Sequence, residues 1–142
     1  MKTMKDQVTS IEQSKRLIEL GVPVEKASMV WRWGWVCGTV DEENYELKIW
    51  QECKMDKILA YQEFPESFIP AFTVADLLGL LPPKISCQGP SDGNFRMRRY
   101  MGENGIEWVV DYDRFIANDV SIINALVETI VLLVSTKHEL NI

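Results

Sequence analysis

The chain has 142 residues, 46% of them apolar and 25% charged, which is the length of one ordinary domain and a composition that excludes a disordered chain. A net charge of −6 argues against duplex nucleic acid as the main partner, because phosphate binding rests on clustered Lys and Arg. The three cysteines, Cys37, Cys53 and Cys87, stand far apart without a C-x-x-C pair, which argues against a disulfide framework and fits reduced thiols in a cytoplasm.

Ser10 and Gln13 form a capping-box pattern that opens a helix. Ile11, Leu17, Ile18 and Leu20 supply its apolar positions, and Gly21 stops it. Pro23 begins a short turn or helix over residues 23–28. From Met29 the period becomes two: Trp31, Trp33 and Trp35 alternate with Arg32, Gly34 and Val36, the pattern of a strand. Gly38 and the acidic run 41–44 read as a loop, and Tyr45, Leu47 and Ile49 read as the returning strand of a hairpin. Residues 53–63 fit strand and helix alike, with Ile58-Leu59-Ala60-Tyr61 tilting toward strand.

Pro65 and Pro70 bracket an expected loop. Thr73 and Asp76 make a second capping-box-like start, for a helix over 74–81 that Pro82-Pro83 ends. A short strand over 84–87 leads into a turn over 89–93. Residues 95–103 and 106–113 flank Asn104-Gly105, a strong hairpin signal. A two-residue turn there pairs Glu103 with Ile106. It puts Met97, Met101, Trp108 and Tyr112 on a core face, and Arg96, Arg98 and Tyr100 on the other with Asp111 and Asp113. A longer turn would shift the pairs by two and keep both faces. Asn118 or Asp119 is expected to cap a last helix reaching about Lys137, with Ile123, Leu126, Val127, Ile130, Leu133 and Val134 as its apolar stripe.

The expected fold is a single α+β domain over residues 1–142: an antiparallel sheet of about four to six strands with helices packed mainly on one face. Residues 1–6 lack the apolar run of a signal peptide. The apolar stretch 120–134 is interrupted by Asn124 and Glu128 and is shorter than the roughly 20 residues a membrane helix needs, so no membrane partner is expected.

Residues 10–23, SIEQSKRLIELGVP, continued by EKASMVW over 25–31, resemble the opening of a family of small proteins encoded by phages and integrated mobile elements of gut bacteria. Residues 69–82, IPAFTVADLLGLLP, resemble that family's middle block. The resemblance covers about half the chain. It implies a phage-like accessory protein inside a bacterial cell and carries no activity, hence no catalytic residue.

Chemistry-bearing patterns are sparse. His138, the one histidine, sits at the end of the last helix, where a cation complements the dipole and a catalytic group would be poorly positioned. No phosphate-binding glycine motif occurs, no zinc-ligand spacing is present, and no cofactor is expected. Asp111, Asp113 and Asp119 are candidate ligands for a hard cation, but cross-strand pairing of the first two with Arg96 and Arg98 explains them more simply.

Two surfaces remain as binding candidates. Trp31, Trp33 and Trp35 project about 7 Å apart from one strand face. They are core, or a platform for a partner chain, including a second copy, or a platform for a small ligand such as a sugar or a base. Arg96, Arg98 and Tyr100 line a strand face able to stack single-stranded bases. The function expected first is non-enzymatic protein–protein interaction with a host or phage protein, by a homo-oligomer of the chain. A nucleic-acid-associated regulator using the arginine–tyrosine face is second, and a small acid–base enzyme using Asp111, Asp113 or Glu107 third.

Overall fold

A computed structural model describes residues 4–33, 45–50, 56–85, 93–103, 105–112 and 115–142; of Met4, Lys5 and Trp33 only the backbone is described. The chain is α+β. Four α-helices and six strands are present among these residues, and the strands form two three-stranded antiparallel sheets where one sheet was expected. The chain divides into two compact units, residues 1–76 and 77–142.

In the first unit, helix α1 (Ile11–Glu19) begins at Ser10. The Ser10 hydroxyl accepts from Gln13 N, and the Gln13 side chain accepts from Ser10 N, completing the capping box. Gly21, at φ +99°, ends the helix in a left-handed turn. Gly21 N donates to Ile18 O and Val22 N to Leu17 O, the double closure that a glycine at this position permits. Leu17 and Val22 are both buried beside it.

Strands β1 (Met29–Trp33), β2 (Tyr45–Ile49) and β3 (Phe68–Ala71) form the sheet β2-β1-β3. The antiparallel pairing expected of the first hairpin is present, with Trp33 opposite Tyr45 and Trp31 opposite Leu47, while the expected loop at Gly38 and 41–44 lies outside the described residues. The expected proline-bracketed loop is instead strand β3. Pro70 pairs with Val30, and as β3 is an outer strand the missing N–H of Pro70 is tolerated there. One face of the sheet packs Met29, Trp31, Tyr45, Ile69 and Ala71 with Val8 and Ile11; the other packs Val30 with Trp50, Ala60 and Phe68.

The segment tilted toward strand by Ile58 and Leu59 is helix α2 (Lys57–Glu63). The Asp56 carboxylate accepts from Ile58 N and Leu59 N, so the N-cap outweighs the β-branched preference. Helix α3 (Val74–Leu80) starts as expected: Thr73 Oγ1 accepts from Asp76 N, and Asp76 Oδ2 accepts from Thr73 N. Asp76 also accepts from the N–H and the hydroxyl of Ser28, which ties the start of β1 to this cap.

In the second unit Lys84, at the start of the strand expected over 84–87, bridges Asn94; residues 86–92 lie outside those described. Strands β4 (Arg96–Gly102), β5 (Gly105–Asp111) and β6 (Ile116–Asp119) follow in the order β4-β5-β6. The β4–β5 register is displaced by two from the one first expected, with Gly102 opposite Gly105, so the division of side chains between faces survives. Strand β6 occupies the place expected for the last helix cap. Helix α4 (Ile122–Ser135) starts later, at Ser121, whose hydroxyl accepts from Asn124 N while Asp119 Oδ1 accepts from Ser121 N. It packs against β5 and β6 through an apolar stripe in which Ile123, Leu126, Val127, Ile130 and Leu133 are buried. The helices do not gather on one face of one sheet. No helix among the described residues is long and apolar enough to cross a membrane.

Candidate functional site

The register of the second sheet places Arg96, Arg98 and Tyr100 of β4, Glu107, Val109 and Asp111 of β5, and Ile116 and Asn118 of β6 on one face. Met97, Arg99, Met101, Ile106, Trp108, Val110 and Ala117 share the other. Val110 and Ala117 are buried there, as is Tyr112 just beyond the strand, but the core expected of Met97 and Met101 is absent: they are 36% and 75% exposed. Trp108 is half-buried beneath Arg99, whose guanidinium carbon lies 5.1 Å from the ring centroid. The reason for the exposure is position. Of the two outer strands, β4 and β6, helix α4 packs against β6 and the central β5.

On the arginine–tyrosine face the carboxylates are held by specific donors. Arg96 Nε lies 3.3 Å from Asp111 Oδ1, and Asp111 is buried. This is the kind of cross-strand ion pair expected, with Arg96 as the partner of Asp111; Asp113 lies outside the described residues. Glu107 Oε2 accepts from the Tyr100 hydroxyl at 2.7 Å and from Asn118 Nδ2 at 3.2 Å. The bond to Glu107, reinforced by partial burial and by the negative charge, holds the Tyr100 phenol above its ordinary range, while Asn118 and the charge of Arg98 pull the other way. Gly102 makes room for this arrangement. A Cβ there would stand 2.7 Å from Glu107 Cδ.

Arg98 differs from its neighbours. It is exposed, and opposite it on β5 stands Val109, which is buried and offers no charge. No salt bridge to Arg98 is present among the described residues. Arg98, Tyr100, Val109, Ile116 and Asn118 line a shallow depression of about 380 Å³, apolar at its floor and cationic at its rim.

Of the other candidates, Trp31 is core: it is 7% exposed, and its Nε1 donates to Thr9 O at 2.9 Å. Only the backbone of Trp33 is described, and Trp35 lies outside the described residues. His138 packs its ring edge-on to Phe115 at 5.2 Å, a structural contact. No group of three or more His, Cys, Asp or Glu able to hold a metal comes together among the described residues. Glu107 and Asp111 are each engaged on this face, Glu107 by Tyr100 and Asn118 and Asp111 by Arg96. Asn118 and Ile116 were missed as site residues because β6 was read as a helix start; the alternation Ile116-x-Asn118 after an expected strand was the available signal.

No family model, curated protein or solved structure matches the chain.

Proposed function

We propose that the protein is a non-enzymatic interaction protein that engages another polypeptide through strand β4. The observation carrying this reading is the outer position of a seven-residue strand whose first six residues are all exposed, three of them arginines, in a chain of net charge −6. An outer strand presents unpaired backbone donors and acceptors, and exposed apolar side chains beside it add area for a partner. Met97, Met101 and Ile106 supply that area. The resemblance to phage and mobile-element proteins supports an accessory role in a bacterial cell. The face also suits single-stranded nucleic acid in placing Arg98 beside the half-exposed Tyr100, but Arg96 is paired with Asp111 and the chain is acidic, which leaves few clustered cations for a phosphate chain.

The test is position-specific photo-crosslinking in bacterial cells. A photoreactive residue replacing Met101 should give a discrete protein adduct, and one replacing the exposed Gln62 of α2 should not. Equal labelling at both positions, or none at Met101, removes the reading. Salt-sensitive retention of single-stranded DNA that Arg98→Ala abolishes would replace it with the nucleic-acid alternative.

A further inference from the structure

We infer that the segment received by β4 is an extended peptide alternating acidic and apolar residues, added as a fourth strand with a carboxylate opposite Arg98; this rests on the interaction reading above. Among the described residues no strand pairs with the outer side of β4. The stretch before β4 is engaged, since Phe95 N donates to Pro83 O and Asn94 bridges Lys84. From Arg96 to Met101 every residue is exposed. Gly102 pairs with Gly105 across only two residues, the spacing of a closely hydrogen-bonded pair. Alternation from that pair turns the backbone of Arg96, Arg98 and Tyr100 toward β5 and that of Met97, Arg99 and Met101 outward. Those outward groups are the ones an incoming strand would bond.

Side chains set the chemistry of the incomer. A residue added opposite Arg98 lies on the face of Arg96, Arg98 and Tyr100, and its immediate neighbours lie on the face of Met97, Arg99 and Met101. Inboard, Arg96 has Asp111 and Tyr100 has Glu107, whereas Arg98 has Val109. The guanidinium thus meets no opposite charge across the sheet, and a carboxylate from an added strand supplies one at cross-strand distance. On the second face the exposed Met97 and Met101 offer thioether and methylene surface to an apolar residue. A second copy of β4 is the wrong occupant, because it would bring three more guanidiniums to an edge that already carries three. A basic peptide is excluded by the same repulsion.

The experiment uses the full chain and three blocked nine-residue peptides: alternating Glu and Leu, alternating Lys and Leu, and the Glu–Leu peptide with alternate backbone nitrogens methylated. Fluorescence anisotropy should give saturable binding of the Glu–Leu peptide that weakens with salt, and no binding of the other two. Amide hydrogen exchange should slow at Met97, Arg99 and Met101 when the Glu–Leu peptide is bound. Arg98→Glu should weaken that peptide about tenfold and admit the Lys–Leu peptide. Binding that ignores the charge of the peptide, survives methylation or leaves the β4 amides unprotected overturns the inference, as does the absence of binding. If the peptide results are negative while Met101 still crosslinks to a protein in cells, the chemistry assigned to the partner is wrong and the interaction reading stands. If Met101 also fails to crosslink, both fall.

Discussion

Replacing Thr9 by Val should destabilise the first unit far more than a surface change of one atom would suggest. Thr9 and Ser14 are both fully buried. The Thr9 hydroxyl accepts from Phe72 N at 3.0 Å and lies 2.7 Å from the Ser14 hydroxyl. The Thr9 backbone donates to Phe72 O at 2.9 Å and accepts from Trp31 Nε1 at 2.9 Å. One residue thereby ties the approach to α1 to strand β1 and to the end of β3. Val matches the shape of Thr but removes the acceptor, leaving the Phe72 N–H buried without a partner at about 1–3 kcal/mol and Ser14 without its bond at roughly 1 kcal/mol. The expected loss is about 2–4 kcal/mol, or roughly 10 °C in Tm. Urea unfolding followed by tryptophan fluorescence is the assay, since Trp31, Trp33, Trp35 and Trp50 all lie in the first unit. Ser14→Ala should cost only about 1 kcal/mol, because the Thr9 hydroxyl still serves Phe72. The double variant should resemble Thr9→Val alone. A Thr9→Val loss under about 0.5 kcal/mol, or strict additivity of the two changes, would refute the reasoning.

The Tyr100 phenol, held above its ordinary value by Glu107, binds its proton more tightly in the folded chain than in the unfolded one, so its contribution is complete below about pH 10 and is lost as pH rises through the folded value. Ring-labelled tyrosine NMR should show Glu107→Ala bringing this titration down toward the ordinary range, and Gly102→Ala doing the same by displacing the Glu107 carboxyl; an unmoved titration in both would discredit the network. Trp31→Phe leaves the Thr9 carbonyl unpaired, whereas the buried Trp50 Nε1 has no hydrogen-bond partner among the described residues, so in thermal melts Trp50→Phe should cost less than Trp31→Phe, and the reverse order counts against this assignment. Lys137 closes α4 in the left-handed region at φ 64°, with His138 N donating to Leu133 O, so Lys137→Gly should raise stability by up to about 1 kcal/mol, and a destabilisation would contradict the geometry.

The elements legible in the sequence are those decided by neighbours in the chain. Ser10 with Gln13, Thr73 with Asp76, and Gly21 act within one turn, so their spacing alone sets where α1 and α3 begin and where α1 stops. The alternation of Arg96, Arg98 and Tyr100 was equally local, and it brought the arginine–tyrosine face into view. The departures have two causes, one local and one not. Ile58 and Leu59 suit a strand as β-branched and large apolar residues do, yet the cap that Asp56 gives the Ile58 and Leu59 N–H groups prevails, and that signal is local too. Pro70 was read as a loop marker because a proline in a central strand would break the ladder, and nothing in the chain announces that β3 is an outer strand where a proline does no harm.

The same blindness to sheet order explains Met97 and Met101. A period-two pattern sorts side chains into two faces but does not say whether a helix covers a given strand of that face. Here α4 packs against β5 and β6, so Val110 is buried while Met97, directly across from it on β4, is left at 36% exposure. Strand order is a non-local property, fixed by which segments come to lie beside β5, and β6 is a four-residue strand without a strong pattern of its own. The feature that misled the core reading is therefore the one that carries the function proposed. Methionines placed where a core would be expected, on a strand that pairs on one side only among the described residues, leave apolar surface exposed, Met101 most of all. In the function proposed, arginines on the same strand oppose its pairing with its own copies, as charges on outer strands ordinarily do, and favour a segment of opposite charge.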